Sequence, residues 1–457
     1  MSRGGPGPLG LRLEFWLGLI RVLLLVLPIL MLVPGMIWWE RRFLSWMQDR
    51  IGPNRTGNVT FPDKLAVGPL GFMRGKKVRL FGLLQTICDG VKLFLKEDIT
   101  PNSVDRLVYF VAPWLALFPA FAIGGTLPWG PSEGFYGHLT PVADIEIGLL
   151  YVLAISSLGA YGVVLAGYAS NNKYSLLGGL RAAAQLISYE LAMGVSLAAV
   201  VMATGSLKMT EMVKAQEAPL WGIESLSFLQ NWFIFTPYGI VSAIVFLIAV
   251  IAETNRAPFD LPEAENELIA GYHTEYSSMK FAVFFMGEYA AMFLLSGVFA
   301  AVFLGGYNML PFNWAYLGST FEGAKGVFDF LGMLNYWLAP LVFLGKCTAG
   351  LSFFIWLRAT LPRLRYDQLM NLGWKTLLPL SVANFIVVGI WIIASAIYGP
   401  VGGLGAFVVA AAIVAALYLN FAAANKKAAD PLYQRSIDMV EPSPGQRTVA
   451  MVDPNKA

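Results

Sequence analysis

Residues 281–305 read FAVFFMGEYAAMFLLSGVFAAVFLG, and Glu288 is the single charged side chain in this run. About 20 apolar residues are enough for a helix to cross the hydrocarbon core of a bilayer. That core holds no water for unpaired backbone groups, so a helix is the structure expected of such a run. Comparable runs occur at 15–39, 149–168 and 377–398. The sequence therefore predicts an all-α, polytopic bundle of membrane helices.

The composition of the whole chain supports this interpretation. Hydrophobic residues make up 57% of the 457 positions and charged residues only 13%, whereas soluble domains carry about 25% charged residues. When successive predicted spans cross the membrane in opposite directions, 25 of the 32 Lys and Arg residues fall on one side of it. The positive-inside rule makes this side cytoplasmic. The amino terminus is then predicted to lie outside. Nine spans are predicted, at about 15–39, 104–126, 145–168, 182–204, 236–253, 278–303, 335–357, 376–398 and 400–421.

The segments between the spans predict further features of a single transmembrane domain over 1–425. Residues 80–97 place Leu84, Ile87 and Val91 at helical spacing, with charged side chains on the other face. This pattern predicts an amphipathic interfacial helix, which either tethers the loop or forms a wall of a hydrophobic cavity. The other features are a cytoplasmic insertion at 57–80, an acidic cytoplasmic loop at 254–277, and a polar cytoplasmic tail at 426–457 predicted as disorder or as a strap on a neighbour.

Several charged side chains lie inside the predicted spans, and three of them are predicted to lie deep in the membrane. A charge in the bilayer costs at least a few kcal/mol, so each one predicts a partner, water or a function. Glu190 follows Arg181 by nine residues, which puts it about 13 Å into the membrane. Glu288 and Lys346 both fall near the bilayer centre, so the sequence leaves open that they pair.

Carboxylates are also crowded in the predicted loop between the fifth and sixth spans. Mutual repulsion raises the pKa of some crowded carboxylates, which suits them to proton exchange near neutral pH. The alternative is that they are solvated or pair with basic residues of a docked subunit. The loop and its two edges contain only two basic residues, Arg256 and Lys280. They contain six acidic residues, Glu253, Asp260, Glu263, Glu265, Glu267 and Glu275.

Basic residues cluster at the cytoplasmic ends of other spans. Positive-inside anchoring accounts for part of them, while the guanidinium fork also suits fixed pairing with carboxylates. The cluster residues are Arg41, Arg50, Arg55, Arg358, Arg363 and Arg365. The two cysteines and two histidines have no ligand spacing, so no metal or iron–sulfur site is expected from this chain alone. No Walker or dinucleotide motif is present either.

Five stretches of this sequence closely resemble the quinone-site membrane subunit of respiratory complex I, which is the H subunit of the bacterial enzyme and subunit 1 of the mitochondrial one. One is AETNRAPFDLPEAENELIAGYHTEYSSMKFAVFFMGEYA at 252–290, and another is ERRFLSWMQDRIGPNRTG at 40–57. The others lie at 81–98, 167–194 and 356–381. The resemblance implies a non-redox subunit of a proton-pumping NADH:quinone oxidoreductase in the bacterial inner membrane. Quinone is then the substrate, and NADH, FMN and iron–sulfur clusters belong to partner subunits.

The resemblance also implies roles for individual residues. Arg41, Arg50 and Arg256 are expected at the quinone chamber and its lipid-side entrance, which the first span, the interfacial helix and the sixth span frame. Redox-arm subunits and small membrane subunits are the expected partners, with Arg55, Arg358, Arg363 and Arg365 as docking residues. The expected proton relay contains Glu190, Glu253, Asp260, Glu263, Glu265, Glu275, Glu288 and Lys346.

The sequence also departs from that family and leaves other functions open. Residues 58–80 form an insertion where the family has a residue or two, and the ninth span and tail are additions seen in some members. One alternative is the equivalent subunit of a membrane-bound hydrogenase or another donor-linked dehydrogenase. Another is a free-standing cation transporter, against which the missing internal repeat and the large inner loops argue.

Overall fold

A computed structural model of the chain describes residues 8–54, 56, 58–60, 77–79, 81–136, 141–262 and 269–438. Nearly all of this part of the chain is helical or in helix connections. A π-helix at Leu372–Leu377 links α11 to α12. The α-helices are α1 Pro8–Met47, α2 Leu84–Leu95, α3 Arg106–Gly124, α4 Gly148–Ala169, α5 Lys173–Thr204, α6 Met209–Ala215, α7 Pro237–Glu253, α8 Ser278–Phe303, α9 Trp314–Thr320, α10 Lys325–Thr360, α11 Tyr366–Asn371 and α12 Leu378–Asp438.

The starts of α5 and α7 follow from capping residues in the sequence. Asn172 precedes α5, and its side-chain oxygen accepts a hydrogen bond from the backbone N–H of Tyr174 at 3.0 Å. Thr236 caps α7 in the same way, and Pro237 occupies the first helical position. Each cap satisfies a backbone donor that has no partner inside its helix. As a result, α5 begins nine residues before the span predicted at 182–204 and ends at the same residue, Thr204.

The predicted fold class is confirmed. Within the described residues, seven helices are long and apolar enough to span a membrane, and α7 is a shorter apolar helix of 17 residues. The eighth and ninth predicted spans fall in α12, whose helical backbone is broken at Gly399, with φ 78° and ψ 175°. A Cβ built on Gly403 would lie 2.7 Å from Cβ of Ser395, so the chain turns back on itself at this break. Glycine is suited to that positive φ.

Small residues let three spanning helices approach closely. A Cβ built on Gly287 of α8 would lie 3.1 Å from the carbonyl oxygen of Ala116 in α3. On the other side of Ala116, a Cβ on Gly162 of α4 would lie 2.6 Å from its backbone nitrogen. Close backbone approach through small residues is the usual way in which membrane helices pack. This contact fixes the position of Glu288, which follows Gly287 directly.

The structure describes parts of the predicted insertion and of the predicted tail. In the insertion, Asn58–Thr60 (β1) pairs antiparallel with Lys77–Arg79 (β2), and residues 61–76 lie outside the described residues. The tail predicted at 426–457 as disorder or as a strap begins inside α12, which continues to Asp438. This stretch is rich in alanine and lysine, which favour helix. The chain forms two compact units, Met1–Gly389 and Ile390–Ala457.

Candidate functional site

A groove of about 500 Å³ lies between α1, α2 and α8. Apolar side chains form most of its wall, including Val33 and Ile37 of α1, Leu93 of α2 and Met286 of α8. These are the three helices expected to frame an entrance, with α2 in the place of the predicted interfacial helix. The exposed Ile87, Val91, Phe94 and Leu95 of α2 form the apolar surface of an amphipathic helix. The groove therefore suits an elongated apolar ligand that enters from the lipid.

Arg41 and Asp89 hold α1 and α2 together at the edge of the groove. Nη1 of Arg41 donates a hydrogen bond of 2.6 Å to Oδ2 of Asp89, and both side chains line the groove. The side chain of Arg41 is 46% exposed, so solvent screens this ion pair and it contributes little to stability. Its exposure leaves a guanidinium available to whatever enters the groove.

Glu40 is the polar centre at the wall of the groove. Its residue is only 5% exposed, and its two oxygens have separate partners. The hydroxyl of Tyr289 donates to Oε2 at 2.5 Å, and Nη1 of Arg358 donates a short hydrogen bond to Oε1. Glu40, Tyr289 and Arg358 all line the groove. These donors compensate the buried carboxylate, and the contacts bring α1, α8 and α10 together.

Arg256 connects Glu40 with Glu288 in the interior. Nη1 lies 3.7 Å from Oε1 of Glu40, and Nη2 lies 3.9 Å from Oε2 of Glu288. Neither distance is a hydrogen bond, and Nε and Nη2 are buried without a hydrogen-bond partner among the described residues. Burial alone would lower the pKa of Arg256, but Tyr289, Glu40 and Glu288 together raise it, so the guanidinium stays charged. It is therefore shared between two carboxylates.

Glu288 and Glu253 line one interior cavity of about 70 Å³. Ser156 and Asn255 provide further polar groups in its wall, and Tyr272 donates a hydrogen bond of 2.9 Å to Oε1 of Glu288. Oε2 of Glu253 is buried and has no hydrogen-bond partner among the described residues. A cavity of this size has room for water molecules, and the carboxylates of Glu288 and Glu253 would give them polar partners.

Glu190 lies beside a second cavity, between α4 and α5. Ala160 of α4 borders both this cavity and the one that contains Glu253. Glu190 is also near enough to Glu253 for their charges to repel each other. From the groove inward, five charged residues therefore follow one another, and we call them the series: Glu40, Arg256, Glu288, Glu253 and Glu190.

The segment from Arg358 to Trp374 contacts this series at both ends. At one end Arg358 donates a hydrogen bond to Glu40. At the other end Nε1 of Trp374 donates a hydrogen bond of 2.9 Å to Oγ of Ser188. The hydroxyl of Tyr189 donates to the carbonyl of Leu369 at 3.0 Å. Ser188 and Tyr189 immediately precede Glu190, so this segment fixes α5 where its carboxylate emerges. The π-helix at Leu372–Leu377 carries Trp374, and π-helical turns are frequent at functional sites.

Comparison with known proteins gives the family. Residues 20–389 match the sequence model for NADH dehydrogenase. The chain belongs to this family. The H 1 subunit of NADH-quinone oxidoreductase from Geobacter metallireducens is 42% identical over 384 residues, which are 83% of this chain and 98% of that protein. The H subunit of the same enzyme from Cupriavidus metallidurans is 44% identical over 82% of this chain and 92% of its own length, and that of Thermomicrobium roseum is 45% identical over 79% and 91%.

The NADH dehydrogenase match ends where the first compact unit ends, at residue 389. Every residue of the groove and of the two cavities lies within the matched part. These relatives are named as subunits of a quinone oxidoreductase, which favours the quinone enzyme over the hydrogenase-type and transporter alternatives. The chain is thus a multi-pass membrane protein that belongs to a multi-subunit oxidoreductase.

Several predicted site residues of this family member lie away from the series. Lys346 does not pair with Glu288, because its ammonium group donates to the carbonyls of Leu304, Gly306 and Asn308 past the far end of α8. Those carbonyls follow Glu288 by sixteen or more residues, about 24 Å along a helix. Glu275 accepts a hydrogen bond of 2.7 Å from Nδ2 of Asn172, at the start of α5.

The predicted basic residues have different surroundings. Arg50 is exposed, and its Nε donates a hydrogen bond of 2.8 Å to the side chain of Gln48. It is not among the residues that line the groove. Arg358 was predicted to dock a subunit, yet its guanidinium bonds Glu40 inside this chain. Arg363 forms an ion pair of 2.9 Å with Asp260, and the backbone N–H of Arg365 donates to Gln368 at the start of α11. Arg55, Glu263 and Glu265 lie outside the described residues.

Sequence reasoning missed the central residue, Glu40. In the sequence it reads as part of a charged cluster with two arginines, which suggests a solvated helix end. The buried positions of α1 are Ile29, Val33 and Met36, and Glu40 continues that spacing on the same face. This periodicity was the available signal. The roles of Tyr289 and Tyr272 depend on contacts between distant elements, for which the sequence gives no local signal.

Proposed function

We propose that this chain forms the lipid-side entrance and part of the wall of the quinone chamber in a proton-pumping NADH:quinone oxidoreductase. We further propose that its carboxylates couple quinone reduction to proton translocation. The main support is the placement of Arg256 between Glu40, which lines the groove, and Glu288, which lines the interior cavity. One buried cation thus touches both compartments.

The groove accounts for substrate entry. A quinone has a planar polar head and a long apolar tail, and the walls of α1, α2 and α8 accept the tail. Arg41, Glu40 and Tyr289 provide polar groups along one side of the route. Partner subunits hold the electron carriers, NADH, FMN and iron–sulfur clusters, which supply two electrons to the quinone.

The coupling step is electrostatic. Reduction of a quinone by two electrons creates a demand for protons in a chamber with little water, where charges interact strongly. A negative charge beside Glu40 attracts the guanidinium of Arg256 and draws it away from Glu288. A buried carboxylate that loses its cation must be neutralised by a proton. Glu288 then takes that proton through the waters of the cavity that it shares with Glu253, and Glu253 is replenished from Glu190.

The test is Arg256→Gln in the intact complex, reconstituted in vesicles, with NADH oxidation and proton uptake measured together. We expect the number of protons moved per NADH to fall, because an amide cannot switch between two carboxylates. Arg256→Lys keeps the charge and should retain part of the coupling. Arg106, which is exposed at the start of α3, gives the matched control Arg106→Gln. An unchanged proton ratio in assembled Arg256→Gln complex would refute the coupling role.

A further inference from the structure

A second groove lies between α1 and α10, at the end of the bundle opposite Glu40. Its volume is about 340 Å³, and Arg21 is the single charged residue in its wall. Arg21 precedes Glu40 by nineteen residues, about 28 Å along a helix. This distance is close to the thickness of the hydrocarbon core, about 30 Å. Arg21 therefore lies at one face of the membrane when Glu40 lies at the other.

The polar side-chain atoms of Trp129 and Tyr136 in the wall of this groove donate hydrogen bonds within the chain, whereas Arg21 has no such bond among the described contacts. Nε1 of Trp129 donates to the carbonyl of Gly124 at 3.2 Å, and the hydroxyl of Tyr136 donates to the carbonyl of Trp337 at 3.0 Å. No acidic residue whose side chain the structure describes forms an ion pair with Arg21. The guanidinium of Arg21 is thus the donor left to meet a ligand in the groove.

The shape of the groove limits the ligand. Its α1 wall continues from Arg21 to Leu32, eleven residues or about 16 Å along the helix. That length is about half of the hydrocarbon core, which is the depth of one lipid leaflet. The remaining wall is apolar and comes from both helices, with Leu24, Leu25, Pro28, Pro340, Leu341 and Leu344 among its residues.

We propose that this groove binds an anionic phospholipid, with the phosphate on Arg21 and one acyl chain along α1. The guanidinium fork matches two phosphate oxygens, which makes arginine a common phosphate ligand. Trp129 and Tyr136 stand beside the headgroup level, where aromatic residues are enriched in membrane proteins. At the edge of the bilayer the guanidinium of Arg21 reaches the headgroup level, where a lipid phosphate gives it an ionic partner. The site is independent of the quinone groove.

The first experiment uses the full chain in detergent with added phosphatidylglycerol or zwitterionic phosphatidylcholine, and counts bound lipids by native mass spectrometry. The wild-type chain should retain phosphatidylglycerol in preference. Arg21→Gln should lower that preference about tenfold, the ratio expected for loss of one charge-assisted hydrogen bond, while Arg21→Lys should retain part of it. Lys214→Gln is the matched control, because Lys214 is exposed, pairs with Glu133 and lies outside the groove.

A second variant separates the groove from the charge. Leu341 is 63% exposed, and Leu341→Trp fills the groove while it leaves Arg21 in place. Retention of phosphatidylglycerol should fall in this variant as well. If both Arg21→Gln and Leu341→Trp retain as much phosphatidylglycerol as the wild type, Arg21 only contacts water and the proposal is wrong.

The intact complex provides the last arm of the test. Phosphatidylglycerol with a photoreactive group on its acyl chain should crosslink to peptides of α1 and α10 in the assembled enzyme. Loss of that crosslink in Arg21→Gln would support the site. Absence of the crosslink in the wild-type complex, with a partner helix attached to these peptides by a protein crosslinker, would show that another protein occupies the groove and would overturn the proposal.

Discussion

Two cations inside the bundle, the buried Arg256 and the partly buried Lys346, have opposite surroundings. The ammonium of Lys346 has a carbonyl oxygen for each of its three protons, at 2.5, 2.9 and 2.6 Å, and lies 4.2 Å from the ring of Trp232. The nearest carboxylate oxygens of Arg256 in Glu40 and Glu288 are 3.7 and 3.9 Å away. Lys346 is fixed by hydrogen bonds to backbone carbonyls, whereas Arg256 lies between two carboxylates and 4.4 Å from the ring of Tyr289.

This difference separates structural charges from charges that can respond. Hydrogen bonds are directional, so moving Lys346 would break several of them and leave carbonyls unpaired. Coulombic attraction falls slowly with distance, so the attraction of Arg256 to Glu40 and to Glu288 depends less on exact geometry. One ion pair near the Lys346 end is also fixed by a hydrogen bond. Lys208 lies 2.8 Å from Asp144, and this hydrogen bond raises the pKa of Lys208.

The largest effect is expected at the interior cavity, from Glu253→Gln. The amide keeps the shape of the side chain but cannot bind and release a proton, so the proposed path is interrupted between Glu288 and Glu190. In assembled complex we expect proton pumping and quinone reductase activity to fall by about tenfold or more. Proton uptake by reconstituted vesicles and NADH oxidation measure the two quantities on one preparation.

Glu146→Gln is the matched control for that variant. Glu146 is an exposed carboxylate just before α4, at the end of the bundle where Asp144 bonds Lys208. It should leave both activities unchanged. If assembled Glu253→Gln complex pumps protons normally, Glu253 is structural. The difference between the surroundings of Arg256 and Lys346 would then not separate charges that act in pumping from structural ones.

The sequence predicted the helices well because the bilayer imposes one rule on all of them. The predicted sixth span, 278–303, has the same bounds as α8, and the predicted interfacial helix contains α2. Both follow from apolar length and helical periodicity, which are local properties. Glu190, Glu253 and Glu288 were also identified from the sequence, because a carboxylate in an apolar run is unusual.

Pairing between distant elements was less accessible. Glu288 and Lys346 were placed at the same depth, yet α10 extends from 325 to 360 and directs Lys346 to the end of α8. Depth along a helix does not determine which face a side chain occupies or which helix it meets. The same limit explains why Arg358 was predicted as a docking residue although it bonds Glu40.

Lys346→Met should have the next largest effect, on stability. The substitution removes the donor from three carbonyls, and we expect the free energy of unfolding to fall by about 3 kcal/mol. Thermal inactivation of the intact complex measures this loss. Lys346→Arg keeps a charged donor and should lose less. In the complex that does assemble, the protons moved per NADH should stay normal, and a lowered ratio would place Lys346 in the relay after all.

The smallest effect is expected at the edge of the groove. Arg41→Ala removes an exposed guanidinium that lines the entry route, so the KM for quinone should rise by about three- to fivefold, as expected for one partly exposed charge. The kcat should change little, because Arg41 contacts the quinone during entry rather than reduction. Arg50→Ala provides the comparison, since Arg50 is exposed, bonds Gln48 and does not line the groove. Equal KM values for the two variants would show that the groove between α1, α2 and α8 does not discriminate between these arginines, and the entrance would have to lie elsewhere.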